Sequence, residues 1–386
     1  VTRDLGRHVR SSGRLEMIFR RGFRGALLAG LMTTLLSGCS PIYVMRAAFE
    51  ESKILWRREP IAEVLATANL AKDTRQKLEL VLAVRAYAQN RLKLNVGGSY
   101  ASLSHVDRRN LSFILTAAPQ TELKAYTWWF LFIGSVPYKG YFSREDADAA
   151  AAELQAEGYD TSIRSTAAFS TLGWFDDPLL SRLLKYDEVT LADIIFHELF
   201  HNTLYVKGAG NFNESVANFV GGRGAIDFFR ERDGDGSPQH QRAVERWRQE
   251  LEFSAFIEQL AQSLTELYAR DIPAEEKLRL RQGIFSSGQE AWKKRIASRP
   301  WAPFYKFYQQ PLNNAVMIQY LLYLKNLRLF EALYKRQGCD LVRTIDAIRK
   351  AMPEGNEPFE TVQSLLADQP HSTGCRPRTV APSAQS

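Results

Sequence analysis

His197-Glu198-Leu199-Phe200-His201 constrains this chain more than any other stretch. It lies in the run Leu191 to His201, where apolar residues recur at three- and four-residue spacing, so the run predicts a helix. Residues four apart on a helix lie one turn above each other on one face. His197 and His201 can then offer two imidazoles to a single metal ion, with the Glu198 carboxylate beside them as a general base. Two half-exposed histidines on a helix that mostly packs core are the bland alternative.

A catalytic zinc usually takes three protein ligands and leaves one position open. The next segment supplies a third. Asn213-Glu214-Ser215-Val216-Ala217-Asn218 opens another helical stretch after the turn Lys207-Gly208-Ala209-Gly210. Glu214 is the expected third ligand. Asn218, four residues on and on the same face, is the expected support, because ligating histidines commonly donate their other N–H to a neighbouring acceptor. The pattern after H-E-x-x-H resembles the gluzincin metallopeptidases, whose third ligand is a glutamate. The twelve residues between His201 and Glu214 are fewer than is common in that group. A solvated glutamate in a helical first turn, favoured by the helix dipole, is the competing explanation for Glu214.

The N-terminus reads as a targeting segment. Arg20, Arg21 and Arg24 precede an eleven-residue apolar run, Ala26 to Leu36, too short to span a bilayer of ~30 Å. Leu36-Ser37-Gly38-Cys39 then resembles the bacterial lipobox, which implies a lipid on Cys39 and removal of residues 1–38. Residues 1–16 make a poor start to such a signal, and Met17 is the expected initiator. Ser40 after the cysteine leans toward the outer membrane. The expected setting is therefore the bacterial cell envelope, facing the periplasm and held to the lipid bilayer through Cys39. In that oxidising compartment Cys339 and Cys375 are either bridged or two free thiols.

Charge first suggests an anionic partner, since the net is +7. Seven arginines but only two acids fall in residues 1–38, and the remainder carries +2. No basic cluster with interleaved aromatics remains, so nucleic acid is not an expected partner. No glycine-rich phosphate loop follows a strand, so a cofactor-dependent oxidoreductase has no support.

Along the rest of the chain, Leu111–Ala117, Tyr126–Phe132 and Tyr159–Thr166 predict strands, and Ser143–Glu157 predicts a helix capped by Ser143. Strand, helix and strand around residues 136–166 suggest a βαβ-type crossover. From Val189 the pattern is nearly all helix, with Val189–Val206, Asn213–Phe229, Gln239–Ala269, Pro273–Ile296, Asn313–Gln337, Asp340–Ala351 and Phe359–Ala367. Residues 39–375 are expected to form one domain of the α+β class, helix-dominant and zincin-like, with a small sheet before the active-site helix. Residues 376–386 are expected to be a disordered tail.

Several segments together resemble a family of predicted bacterial zinc aminopeptidases: Arg57 and Arg58 before Glu59-Pro60, Val136 to Phe142, Phe169 to Pro178, Phe196 to His201, Tyr205 to Gly208 and Phe212 to Ser215. The resemblance implies one zinc per chain, a peptide substrate and hydrolysis with Glu198 as base. Tyr205, four residues after His201, is the expected oxyanion donor if the helix persists; Tyr138 and Tyr141 are rivals. Phe169 to Phe175 is a candidate edge strand for substrate, Trp174 and Phe175 are candidate pocket residues, and Asp176 and Asp177 are candidate partners of a substrate amine. An envelope endopeptidase using the same site, or a non-enzymatic lipoprotein scaffold with a structural metal, are the alternatives.

Overall fold

The computed structural model describes residues 55–106, 112–130, 134–166, 176–299, 302–352 and 357–367. Cys39, residues 1–38, Phe169–Phe175, Cys375 and the tail 376–386 lie outside the described residues. Cys339 is disulfide-bonded, and its partner also falls outside them. No helix among the described residues is long and apolar enough to cross a membrane.

The described chain is α+β with helix dominant. Strand β1 (Arg58–Pro60) leads into helices α1 (Ile61–Ala66) and α2 (Lys72–Asn90), then β2 (Ser102–Ser104). A split βαβ unit follows. Strands β3 (Ser112–Pro119), β6 (Lys139–Tyr141) and β7 (Tyr159–Thr166) form a sheet in the order β6-β3-β7, with β3 antiparallel to both neighbours. β6 and β7 therefore run parallel, joined through helix α3 (Arg144–Ala156). The expected crossover is present, but its two strands are separated by β3 rather than paired. The hairpin β4 (Trp128–Phe130) and β5 (Gly134–Val136) stands apart from this sheet. Ser143 caps α3 as expected, its Oγ accepting from the Asp146 N–H over 3.0 Å.

Strand alternation gives the sheet two distinct faces. Leu115, Ala117 and Ile163 face α3 and make a small core with Ala151 and Leu154. Thr116, Ser162 and Arg164 lie on the other face, toward helix α8 (Asn314–Leu324). There the Gln319 amide donates to Thr116 Oγ1 over 3.3 Å, and Ser162 Oγ donates to Gln319 Oε1 over 3.2 Å.

The remainder is helical: α4 (Glu188–His201) after the short strand β8 (Leu179–Leu180), then α5 (Gly210–Asp233), α6 (Pro238–Tyr268), α7 (Ala274–Ile296), α8, α9 (Leu327–Arg336), α10 (Leu341–Ala351) and α11 (Pro358–Ala367). Their apolar faces merge into one large core that includes Phe196, Phe200, Phe219, Phe253 and Phe330. α4 and α5 approach closely at Gly221. A Cβ there would fall less than 3 Å from the Asp193 carboxylate and backbone oxygen, so only glycine admits this spacing.

A buried polar junction ties sheet to helices. Asp160, at the start of β7, meets Arg281 of α7 over 2.7 Å and accepts the Asn314 N–H at the start of α8 over 3.0 Å. Asn314 also donates to the Pro119 carbonyl and accepts from the Tyr268 hydroxyl.

Two helical expectations need correction. The helix expected to reach Val206 stops at His201. The single helix expected over Asn313–Gln337 is two, parted at Asn326, which adopts a left-handed φ of 59°. Asparagine tolerates that region, and its N–H is taken by the Glu258 carboxylate, so the break costs little.

Candidate metal centre

The first support of the site is the cap of α4. Asp187 accepts from the N–H groups of Val189 and Thr190, each over 3.1 Å, and from the Thr190 hydroxyl over 2.7 Å. Burial opposes ionisation of this carboxyl, yet the Thr190 bonds and the Arg246 charge hold its pKa below the usual aspartate range. From that fixed start, α4 presents His197 and His201 on its buried side.

The chain leaves α4 at Asn202 and returns at α5 through a loop that Asn213 closes. Its Oδ1 accepts the Val206 N–H, and its Nδ2 donates to the Val206 carbonyl, both over 2.8 Å. The first turn of α5 is thereby clamped to the loop one residue before Glu214. Ser215, one residue after, donates its Oγ to the Leu322 carbonyl over 3.3 Å. Glu214 is thus bracketed on both sides by buried side-chain bonds.

These constraints bring three ligand atoms together. His197 Nε2 lies 3.2 Å from Glu214 Oε2 and 3.2 Å from His201 Nε2, and His201 Nε2 lies 3.7 Å from Glu214 Oε2. His197, His201 and Glu214 are the only such group of three or more His, Cys, Asp or Glu among the described residues. Zinc bonds of about 2.0–2.1 Å at tetrahedral angles separate donor atoms by roughly 3.3 Å, so the triangle matches one face of a zinc tetrahedron. The electrostatics favour positive charge at its centre. Burial alone would lower the His197 pKa, but the Glu214 bond and the charges of Glu198, Glu214 and Asp193 raise it to about 9. Burial alone would raise the Glu214 pKa, but the two imidazoles hold it far below the usual range. Residues present and their geometry therefore fit zinc.

Glu198 lies partly exposed beside the triangle, and among the described residues its carboxylate makes no hydrogen bond or ion pair. It remains free to accept a proton.

Asn218 is placed differently from the sequence reading. Its Nδ2 donates to the Tyr323 carbonyl over 3.3 Å, and among the described residues the buried Nδ1 of His201 has no partner. The support that Asn218 gives is therefore to α8. The break at Asn326 frees the last carbonyls of that helix, and three side chains meet them: Ser215 at Leu322, Asn218 at Tyr323 and Ser254 at Leu324.

That arrangement fixes Tyr323, which sequence reasoning missed. Its ring lies 6.2 Å from the His197 ring, centroid to centroid. Its hydroxyl accepts from Arg164 Nη2 over 2.6 Å, with the guanidinium carbon 5.0 Å from the ring centroid. Burial first, then the charges of Glu214 and Glu198, push the hydroxyl pKa up against the opposing pull of Arg164. Burial and then the Glu214 charge raise the hydroxyl pKa of Tyr138, and of Tyr205 likewise, so the same carboxylate acts on three tyrosines. Tyr205 stands in the loop after α4 rather than on the helical face with the histidines. Tyr141 pairs in the sheet opposite Phe113, and its role as a rival gains no support from that place.

Asp176 is engaged by the Gly98 N–H over 2.6 Å, and Asp177 is buried. Tyr100 sits beside them with a left-handed φ of 59°, and Glu198 is among the charges that raise its hydroxyl pKa after burial. No local signal marked Tyr323 or Arg164: the tyrosine lies in the apolar run Asn314–Leu324, the arginine in a strand of ordinary alternation.

A sequence model of the family described as "Putative aminopeptidase" matches residues 42–358. No curated protein and no solved structure matches the chain.

Proposed function

The chain belongs to the putative aminopeptidase family, and on that premise we propose that it is a zinc-dependent aminopeptidase centred on His197, His201 and Glu214. The observation that carries the reading is the triangle of ligand atoms beside an unpaired Glu198. Zinc held there would supply Lewis acidity, polarising a carbonyl and acidifying water.

The remaining steps belong to the chain's own residues. Glu198 takes the proton from the attacking water and returns it to the leaving amine. Tyr323 donates to the oxyanion that develops on the substrate carbonyl. A guanidinium can only donate, so the Arg164 bond occupies an oxygen lone pair of Tyr323 and leaves its O–H to point elsewhere. The raised pKa keeps that proton in place. The Glu214 charge acts on Tyr138 and Tyr205 as well, and Tyr205 keeps its proposed catalytic part only through that influence. Lipidation of Cys39, attachment to the envelope membrane and a periplasm-facing site complete the proposal.

The test is zinc analysis of the purified protein together with a peptide-library digest comparing wild type with Glu198→Gln. About one zinc per chain in both, with cleavage by wild type alone, is the expected result for a separate metal and base. A wild type that binds no zinc would remove the enzyme reading. Equal cleavage by the variant would remove the role of Glu198.

A further inference from the structure

Several arginines of the helical body pair with carboxylates, and Arg164, on β7, does not. Arg223 meets Glu331, Arg246 meets Asp193 and Glu250, Arg281 meets Asp160, and Arg299 meets Glu252. Among the described residues Arg164 meets no carboxylate. Its guanidinium makes one hydrogen bond, to the Tyr323 hydroxyl, and none of its nitrogens is both buried and unpartnered. Among the described residues its Nε and Nη1 hydrogens thus meet no acceptor and are not sealed from solvent, which leaves three N–H groups for a ligand. The side chain is partly buried, so its charge is less screened than one on the open surface.

Its position is set from both sides. β7 is held by its register with β3, where Ile114 lies opposite Arg164, and by the Asp160–Arg281 junction at its start. α8 is held by the three side chains at its last carbonyls. The guanidinium lies 5.0 Å from the Tyr323 ring, which lies 6.2 Å from the His197 ring. At ~3.3–3.6 Å per extended residue, it is no more than roughly three residues from the metal ligands.

We infer that Arg164 binds the free α-carboxylate of a short peptide, so that the site selects di- and tripeptides over long chains and over peptides with a blocked C-terminus. This rests on the peptidase reading above and adds the substrate class. A guanidinium presents paired donors that match the two oxygens of a carboxylate, which an amide cannot satisfy in the same way. A substrate held at its carboxylate end by Arg164 would lay the peptide bond one or two residues away against Glu198 and Tyr323. The same guanidinium that orients Tyr323 would thus report that a substrate of the right length is seated.

The experiment compares a panel of dipeptides and tripeptides as free acids with the same peptides as C-terminal amides. KM and kcat are measured for wild type, Arg164→Met, Arg164→Lys and Tyr323→Phe. Binding of both panels to zinc-loaded Glu198→Gln, with and without Arg164→Met, is measured by calorimetry. Wild type should favour the acids roughly ten- to hundred-fold through KM or Kd, the range of a charge-assisted hydrogen bond. Arg164→Met should abolish that preference while lowering kcat on both panels, and Arg164→Lys should restore part of it. Tyr323→Phe should lower kcat on both and leave the preference intact. Equal handling of acids and amides by wild type would overturn the assignment. So would a preference that survives Arg164→Met, which would leave the arginine as a positioning residue for Tyr323. If no peptide is cleaved, the reaction fails but the calorimetry still reads the carboxylate preference, so the two ideas fail separately.

Discussion

Arg164 on β7 and Tyr323 on α8 meet over 2.6 Å across the sheet–helix interface, and the tyrosine ring lies 6.2 Å from that of His197. Two residues from elements 159 positions apart in sequence are thereby joined at the candidate metal centre. If Tyr323 is the oxyanion donor, Tyr323→Phe should lower kcat by about 10²–10³-fold, the usual loss for one such donor. Zinc content should not change. A variant with wild-type kcat would pass the role to Tyr138 or Tyr205.

The clamp formed by Asn213 should matter for both stability and metal retention. Asn213→Ala removes two bonds to Val206; the Val206 carbonyl keeps the Ala209 N–H, but the half-buried Val206 N–H loses its acceptor, a cost of about 1–3 kcal/mol. The denaturant midpoint should drop accordingly, and the variant should surrender zinc to a chelator sooner than wild type. An unchanged midpoint would mean that the loop is held elsewhere.

Metal removal should itself destabilise the fold, because the three ligands converge only in the native state. With zinc at a thousand times its Kd, linkage supplies about 4 kcal/mol. Chelation should lower the Tm of wild type and of Glu198→Gln alike, and leave Glu214→Ala nearly unmoved. A chelator-insensitive wild type would argue against the ligand set.

The Asp160–Arg281 pair is buried on both sides and anchors β7 against α7 and α8. Asp160→Asn should cost about 3–5 kcal/mol, the penalty for stranding one buried charge. Thermal unfolding of the single variants and of a doubly apolar replacement checks this. The double variant should be milder than Asp160→Asn alone.

Glu250 gives a pH signature. Burial first, opposed by Arg246 and reinforced by Asp193, pushes its pKa up to about 7. An unfolded glutamate titrates near ~4.3, so the folded chain holds the proton more tightly across that window. Stability from this group is therefore present below the unfolded pKa and is lost as pH rises toward 7. Glu250→Gln should flatten the decline, read as the difference in denaturant midpoints at pH 5 and pH 8. A variant that tracks wild type across that range would rule out Glu250 as its source.

Much of this was legible along the chain. The α+β class with helix dominant, the cap at Ser143, the long helices and the crossover around α3 all follow from short-range periodicity and capping chemistry. So does the grouping of His197 with His201, since a helical turn is a local geometry. Reading failed where distant contacts decide. Asn326 breaks what periodicity presents as one helix, because Glu258 on α6 holds its N–H and three side chains satisfy the freed carbonyls. The helix was expected to carry Tyr205 onto the histidine face, and it ends at His201 instead, where Asn213 draws the loop back toward α5.

The sequence alone therefore determined which helix offers the two imidazoles, that Glu198 stands beside them, and that Glu214 lies near the start of the next helix. These are consequences of spacing within a turn or two. The tertiary structure alone decided that Glu214 points at that pair, and that Tyr323 and Arg164 stand around it. Their arrival depends on the register of β7, the buried charge of Asp160 and the side chains that hold the end of α8, and no local pattern encodes a convergence set by packing between elements far apart in the chain.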